Sequence, residues 1–440
     1  MERIFGLREH GTTVSKELVG GLTTFLTMAY ILAVNPNMLG LIGTAVGTPG
    51  NVMPAASVFT ATVLSSAFAT LVMAFAANLP VALAPGMGLN AFFTFTVVDR
   101  MGYSWQIALT AVFLEGILFV LLSLVNIREL IIQSIPMNLK RAVAVGIGLF
   151  IALIGLKNAG VVVPNESTLV ELGNISSGSA LVALIGLIIT TGLYANKVPG
   201  SILLGILITT IIGIPFDLTT IPKGWAPIAL PASPLLFKFD FSSVLSFKFF
   251  TVFFTFLFVD IFDTVGTLVG VTTQAKLIDK DGNIPRVKQA LLADALGTVA
   301  GAALGTSTVT SYVESTAGVA AGGRTGFSAL TTALLFLLAL FFSPVFLLIP
   351  SAATAPALVM VGFFMMKSVI SVDFSDPTEG IPAFIAIVMM PFTYSIAEGI
   401  VYGMLCYVIL KIVSFRFREI SFVTMILFIV FVLRFFIRGE

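Results

Sequence analysis

Apolar stretches of about twenty residues succeed one another along almost the entire chain, broken only by Pro, Gly or short charged loops. A helix needs about 20 apolar residues to cross the hydrocarbon of a bilayer. In that medium only helices and closed barrels satisfy their own backbone. The expected fold class is therefore an all-α polytopic membrane protein embedded in a lipid bilayer. Composition agrees, with 10% of residues charged against about 25% in soluble domains. The 440 residues suit roughly 12–15 spans and leave no room for a separate soluble domain. A net charge of +1 argues against a nucleic-acid partner. Met1–Lys16 lacks the charged-then-apolar pattern of a signal peptide. His10 is the only histidine and Cys406 the only cysteine, so no metal set, cofactor or internal disulfide is expected.

Periodicity and breakers place spans near 17–34, 55–77, 83–98, 105–125, 141–158, 180–196 and 200–215. After the Pro-rich connection 216–247 a second set follows near 248–270, 288–304, 308–322, 327–348, 353–370, 381–396 and 397–414. The last apolar stretch, 422–437, is an extra span or an interfacial helix; its Arg434 and its shortness favour the interface. With the N-terminus cytoplasmic, sixteen Lys and Arg fall inside and five outside, with Arg434 and Arg438 unassigned. That asymmetry supports the orientation and the even count of fourteen. Seven spans on each side of the connection would make the second half enter the membrane inverted. Inverted repeats are a hallmark of alternating-access transporters.

The third span of each half is broken. The first reads Asn78–Phe93, with Pro85, Gly86 and Gly88 interrupting any continuous helix. The second reads Gly305–Arg324: its Thr-, Val- and Tyr-rich beginning favours extended backbone, and the small residues after Glu314 suit a short, tightly packed helix. Both are expected to run from a half-strand into a half-helix. Gly-rich segments also serve simple close packing of helices. A matched pair, however, is the best sequence pointer to a transporter's binding site. Half-helix N-termini offer unpaired N–H groups, Asn90 can donate and accept at once, and Glu314 can accept from a ligand's N–H. Phe92, Phe93 and Tyr312 add flat apolar faces, although packing is the commoner role of any single ring. A planar, uncharged ring with polar edges fits this set better than an ion or a sugar.

Carboxylates inside apolar segments are the second signal. A charge at the centre of a spanning helix costs about 2.5–3.5 kcal/mol on insertion scales, so such residues mark pathways and sites. Asp260 and Asp263 sit three apart on one segment, with Thr264 and Thr267 on the same helical side. Carboxylates this close interact and can relay a proton. Asp294 lies near the start of its span, where a capping or interfacial role is equally expected, and Glu115 and Glu398 read as structural.

Six stretches carry a resemblance that covers nearly the whole chain: Gly20–Leu32, Asn35-Pro36, Ala84–Phe93, Asp260–Thr267, Gly305–Glu314 and Gly318–Thr325. Together they resemble the nucleobase–cation symporter-2 (nucleobase/ascorbate transporter) family, in its adenine–guanine–hypoxanthine permease branch. The resemblance implies the uracil-transporter fold, with fourteen spans in two inverted seven-span repeats. Its core domain would comprise 1–139 and 247–349, its gate domain 140–246 and 350–440. It further implies that Asn90, Asp260 and Glu314 bind a purine and that Asp263 is tied to translocation. Relatives of that fold often form homodimers, although no interface can be read from the sequence. The xanthine and ascorbate branch carries an Asn after the acid of the second broken segment. Here Ser315 follows Glu314, which moves the expectation toward adenine, guanine and hypoxanthine.

The expected function is proton-coupled import of purine nucleobases across the plasma membrane. Asn90, Phe93, Asp260, Tyr312 and Glu314 are expected at the substrate, and Asp263 with Asp260 at the proton. Uracil or xanthine remain alternative substrates. Na⁺ remains an alternative coupling ion, because carboxylates with Thr hydroxyls can ligate it. An anion carrier on the same fold is a rival that the acidic site disfavours. An intramembrane aspartyl enzyme is a weaker rival, since Asp260 and Asp263 share one helix and no H-E-x-x-H or G-x-S-x-G pattern occurs.

Overall fold

A computed structural model describes residues 2–40, 53–125, 136–176, 178–277 and 284–437. Arg128 and Lys280, counted above on the inner side, and Arg438 lie outside the described residues. The chain is mostly helical. In order come α1 Val14–Met28, α2 Ile31–Gly40 and α3 Ala55–Val72, the last prolonged by a π turn over Met73–Ala77. Then follow β1 Leu83–Pro85, α4 Met87–Ala91, a π-helical stretch Phe92–Arg100, α5 Trp105–Val125 and α6 Met137–Asn158. A hairpin of β2 Val162–Asn165 and β3 Leu169–Leu172 precedes α7 Gly178–Ala195 and α8 Ser201–Ile212. After a long irregular connection come α9 Phe247–Gln274, α10 Val287–Leu304, β4 Val309–Ser311, α11 Ser315–Ala320 and α12 Gly326–Ala339. The chain ends in α13 Ser351–Met366, α14 Pro377–Phe392, α15 Ile396–Val413 and α16 Phe422–Ile437.

Among the described residues, nine helices are long and apolar enough to cross a membrane, and α8 and α14 are shorter apolar helices. The 28-residue α9 carries the Asp260–Asp263 pair. The chain divides into two compact units, Met1–Leu124 with Gly155–Ala357, and Val125–Ile154 with Leu358–Glu440. In the second unit α14 packs along α15. Lys411, fully buried near the end of α15, pairs with Glu379 at 2.8 Å and Glu419 at 2.6 Å. Buried charge is tolerated there because it is paired and hydrogen-bonded.

The first unit is organised around the two broken segments. β1 and β4 pair antiparallel, Leu83 opposite Ser311, Ala84 opposite Thr310 and Pro85 opposite Val309. Gly86 N donates to Thr308 O at 2.9 Å and Tyr312 N to Ala82 O at 3.0 Å, closing the ribbon at both ends. A two-stranded ribbon inside an apolar protein has two open edges that no water can satisfy. Hydroxyls supply what is missing. Thr70 on α3 accepts from Leu83 N and donates to Leu83 O, at 3.0 and 3.2 Å. Ser315 Oγ accepts from Ala82 N at 3.0 Å, and Thr298 on α10 donates to Val309 O at 2.9 Å. Close approach comes from α10: a Cβ on Gly297 would lie 2.6 Å from Ala69 Cβ, and one on Gly301 2.9 Å from Val309 Cγ2. The sequence "Ala-Leu-Gly-Thr-Val-Ala-Gly" of α10 is thus the seat of the ribbon.

Candidate functional site

The half-strands lead directly into helix starts. Gly86, extended at φ −72° and ψ 129°, opens α4, which carries Asn90 and continues as the π-helical stretch. Glu314 precedes α11 and caps none of that helix's N–H groups; its carboxylate stays beside its own backbone N–H. Tyr30 Oη donates to Glu314 Oε1 at 2.6 Å. The helix α11 is short, only six residues, and is held from outside. A Cβ on Gly318 would sit 2.0 Å from Thr24 Oγ1 and 2.5 Å from Gly20 O, so α11 lies in contact with the backbone of α1.

Asp260 and Asp294 meet at Thr264. Thr264 Oγ1 lies 3.4 Å from Asp260 Oδ1, 2.7 Å from Asp294 Oδ1 and 2.8 Å from Thr310 Oγ1 of β4. Asp294 is fully buried in the body of α10, so the capping or interfacial role considered for it does not hold. It faces inward because α10 is the ribbon's seat, which turns that face toward β4. Asp263, one turn of α9 from Asp260, lies against the first broken segment: its Oδ2 would be 3.7 Å from a Cβ on Gly86. It is within electrostatic reach of Asp294 and Glu314.

Asn90 is fully buried and accepts at Oδ1 from Ser307 Oγ, just before β4. That bond fixes which end of the amide points where. The Nδ2 donors are left facing away from Ser307, with Met87 Sδ at 3.9 Å. Tyr312 braces the two segments, its Oη donating to Pro85 O at 2.5 Å. Phe92 and Phe93 both meet Phe256 of α9 edge to face, with centroids 4.9 and 6.4 Å apart. Their rings are packed in the core between α9 and the first broken segment.

The structure therefore brings Asp263, Glu314, Tyr312, Asp260 and Asp294 around one ribbon, and joins Asn90 to that ribbon through Ser307. Three contributors went unnoticed in the sequence. Tyr30 lies in an apolar run and only its hydroxyl hints at a partner. Ser307 and Thr310 are lost among neighbouring hydroxyls. Glu115, read as structural, accepts from Thr308 Oγ1 at 2.9 Å and so supports the ribbon from α5. Glu17, a fourth unread contributor, accepts from Arg324 N at 2.8 Å and from Ser328 N and Oγ at 3.0 and 2.6 Å. It anchors the stretch that joins α11 to α12. An arrangement of this kind can receive a small polar ring between acceptors and donors, and can hold or release protons at several carboxylates. No group of His, Cys, Asp and Glu suited to a metal ion occurs among the described residues.

A model described as the permease family matches residues 15–415. A guanine/hypoxanthine permease of Bacillus subtilis is 46% identical, over 99% of this chain and 99% of its own. An adenine permease of Escherichia coli is 43% identical, over 99% of this chain and 95% of its own. Among solved structures, the transmembrane domain of a cyanobacterial bicarbonate transporter superposes with a TM-score of 0.61 at 15% identity. That match covers 88% of this chain and 96% of the other, and shows a shared fold.

Proposed function

The chain belongs to the permease family, in the purine branch of the nucleobase–cation symporters, and from that premise we propose that it imports adenine, guanine or hypoxanthine by proton symport. A member of this family is a transporter and not an enzyme. The observation that carries the reading is the gathering of Glu314, Asp263 and the Asp260–Thr264–Asp294 group around one ribbon made by two broken segments. Glu314 accepts from the ligand's N–H groups, Asn90 donates to a ring nitrogen or carbonyl, and Tyr312 and Phe93 shape the apolar wall. Asp260 adds an acceptor. Asp263, on α9 and facing the first broken segment, carries the coupled proton, with Asp260 as its relay partner.

The remainder of the reading is architectural. The chain crosses the cell membrane fourteen times with its N-terminus in the cytoplasm, as two inverted repeats. Support comes from the nine long apolar helices, the shorter α8 and α14, the 28-residue α9 and the paired broken segments. The core domain takes 1–139 and 247–349 and the gate 140–246 and 350–440, although 155–246 groups with the larger compact unit. A homodimer is part of the same reading.

Uptake of labelled adenine, guanine, hypoxanthine, xanthine and uracil by cells that lack their own carriers and express this chain tests the substrate. Saturable purine uptake, competed by the other purines and not by uracil, is expected. Uptake of uracil alone, or of no base by correctly inserted protein, overturns it.

A further inference from the structure

We propose that Tyr30 is a positioning residue of the substrate site, whose hydroxyl holds one oxygen of Glu314 so that the carboxylate meets the ligand in a fixed orientation. The inference rests on the purine reading above and adds to it a residue outside both broken segments and outside α9.

Three observations carry it. Tyr30 lies where the first apolar segment is itself interrupted: α1 ends at Met28, α2 begins at Ile31, and Ala29-Tyr30 form the turn between them. Tyr30 is 1% exposed, and a buried tyrosine hydroxyl needs a partner; it finds Glu314 Oε1 at 2.6 Å. The distance is that of a strong O–H to carboxylate bond. Finally, the backbones around the pair are locked, so the hydroxyl can set the carboxylate's position. Thr27 Oγ1 donates to Glu314 O at 3.4 Å, and Gly20 and Gly318 leave α1 and α11 in contact.

The consequence is chemical. A glutamate has three rotatable bonds, and ordering such a side chain on binding costs about 0.5–1.5 kcal/mol. A hydrogen bond already made in the free protein removes much of that cost. With Oε1 serving as acceptor for Tyr30 and the carboxylate also beside its own backbone N–H, its remaining acceptor capacity is presented to the ligand in one direction. Tyr312 and Asp263 are also within electrostatic reach of the tyrosine, so the pair sits among the groups proposed to bind and to carry the proton.

The test is a double-mutant cycle on the full chain, reading hypoxanthine binding and initial uptake for wild type, Tyr30→Phe, Glu314→Gln and the double variant. Tyr30→Phe keeps the ring and removes only the hydroxyl. It is expected to weaken hypoxanthine binding about tenfold and raise KM alike, with the maximal rate within about twofold and an unchanged thermal midpoint. On the Glu314→Gln background the same change is expected to do almost nothing. Wild-type KM in Tyr30→Phe, or losses that multiply in the double variant, overturns the inference. A fall in maximal rate at unchanged KM overturns it too. If Tyr30→Phe does not fold, Tyr30→His replaces it, keeping a ring donor at shorter reach; the same dependence on Glu314 is expected and independence overturns it. Failure of the wild type to bind hypoxanthine or any purine overturns the substrate reading, a result separable from every one of these.

Discussion

Glu314 shows how much one side chain is asked to do. Its carboxylate receives the Tyr30 hydroxyl at 2.6 Å, and it stands at the entrance of α11. Replacement by Gln keeps the shape and turns one acceptor into a donor. Hydrogen bonds to a charged group contribute about 1.5–3 kcal/mol, which is about ten- to a hundredfold in affinity. Glu314→Gln is therefore expected to lose high-affinity purine uptake by that factor in a competition assay with intact surface expression. Wild-type affinity in the variant would sink the assignment of this residue. At this scale the sequence itself marks the candidates. Asp260, Asp263, Glu314 and Asn90 stand out because a charge or an amide in an apolar run needs a reason to be there. Tyr30 and Ser307 do not stand out, because hydroxyls are inexpensive in a spanning helix and their partners lie almost three hundred and over two hundred residues away in sequence.

Between residues and the whole chain, the element that matters is the ribbon of β1 and β4. The sequence foretold extended backbone from Pro85-Gly86 on one side and from the Thr- and Val-rich run on the other. That the two strands pair with each other, in the register Ala84 opposite Thr310, was not legible, because strand pairing is a long-range choice that local composition does not encode. Nor were the ribbon's hydroxyl supports at Thr70, Thr298 and Ser315. Asp294 was left open for the same reason: its place near the start of a span suggested a cap as readily as an inner role, and its helix turns that face to β4. The close fit makes a sharp prediction. A Cβ on Gly86 would lie 2.7 Å from Thr310 Cγ2 and 3.3 Å from Leu89 Cδ1. Overpacking of this kind costs about 1–3 kcal/mol, so Gly86→Ala is expected to lower the thermal midpoint in detergent and to reduce uptake more than tenfold. A variant with unchanged midpoint and uptake would show that the ribbon is slack.

Taken as a molecule, the chain places acid where solubility does not require it and surrounds it with hydroxyls rather than with bases. Lys and Arg are not absent from the interior: Lys411 is fully buried, but in the second unit and paired with Glu379 and Glu419. Glu314, Asp294 and Glu115 of the first unit meet Thr and Tyr hydroxyls instead. Groups arranged in that way can change their proton count while a ligand binds, which is what coupling to a proton gradient demands. The fold class and the family were readable from hydropathy and six motifs. The orientation and the inverted repeat rest on counting charges and spans, and the coupling ion on the chemistry of the carboxylates.

The deciding measurement is uptake of labelled hypoxanthine into liposomes containing the purified protein, under an inward proton gradient, an inward sodium gradient, or neither. The account predicts accumulation above the external concentration with the proton gradient alone, and, for Asp263→Asn, retained hypoxanthine binding without accumulation. Accumulation driven only by sodium, or undiminished proton-driven accumulation in Asp263→Asn, would contradict it.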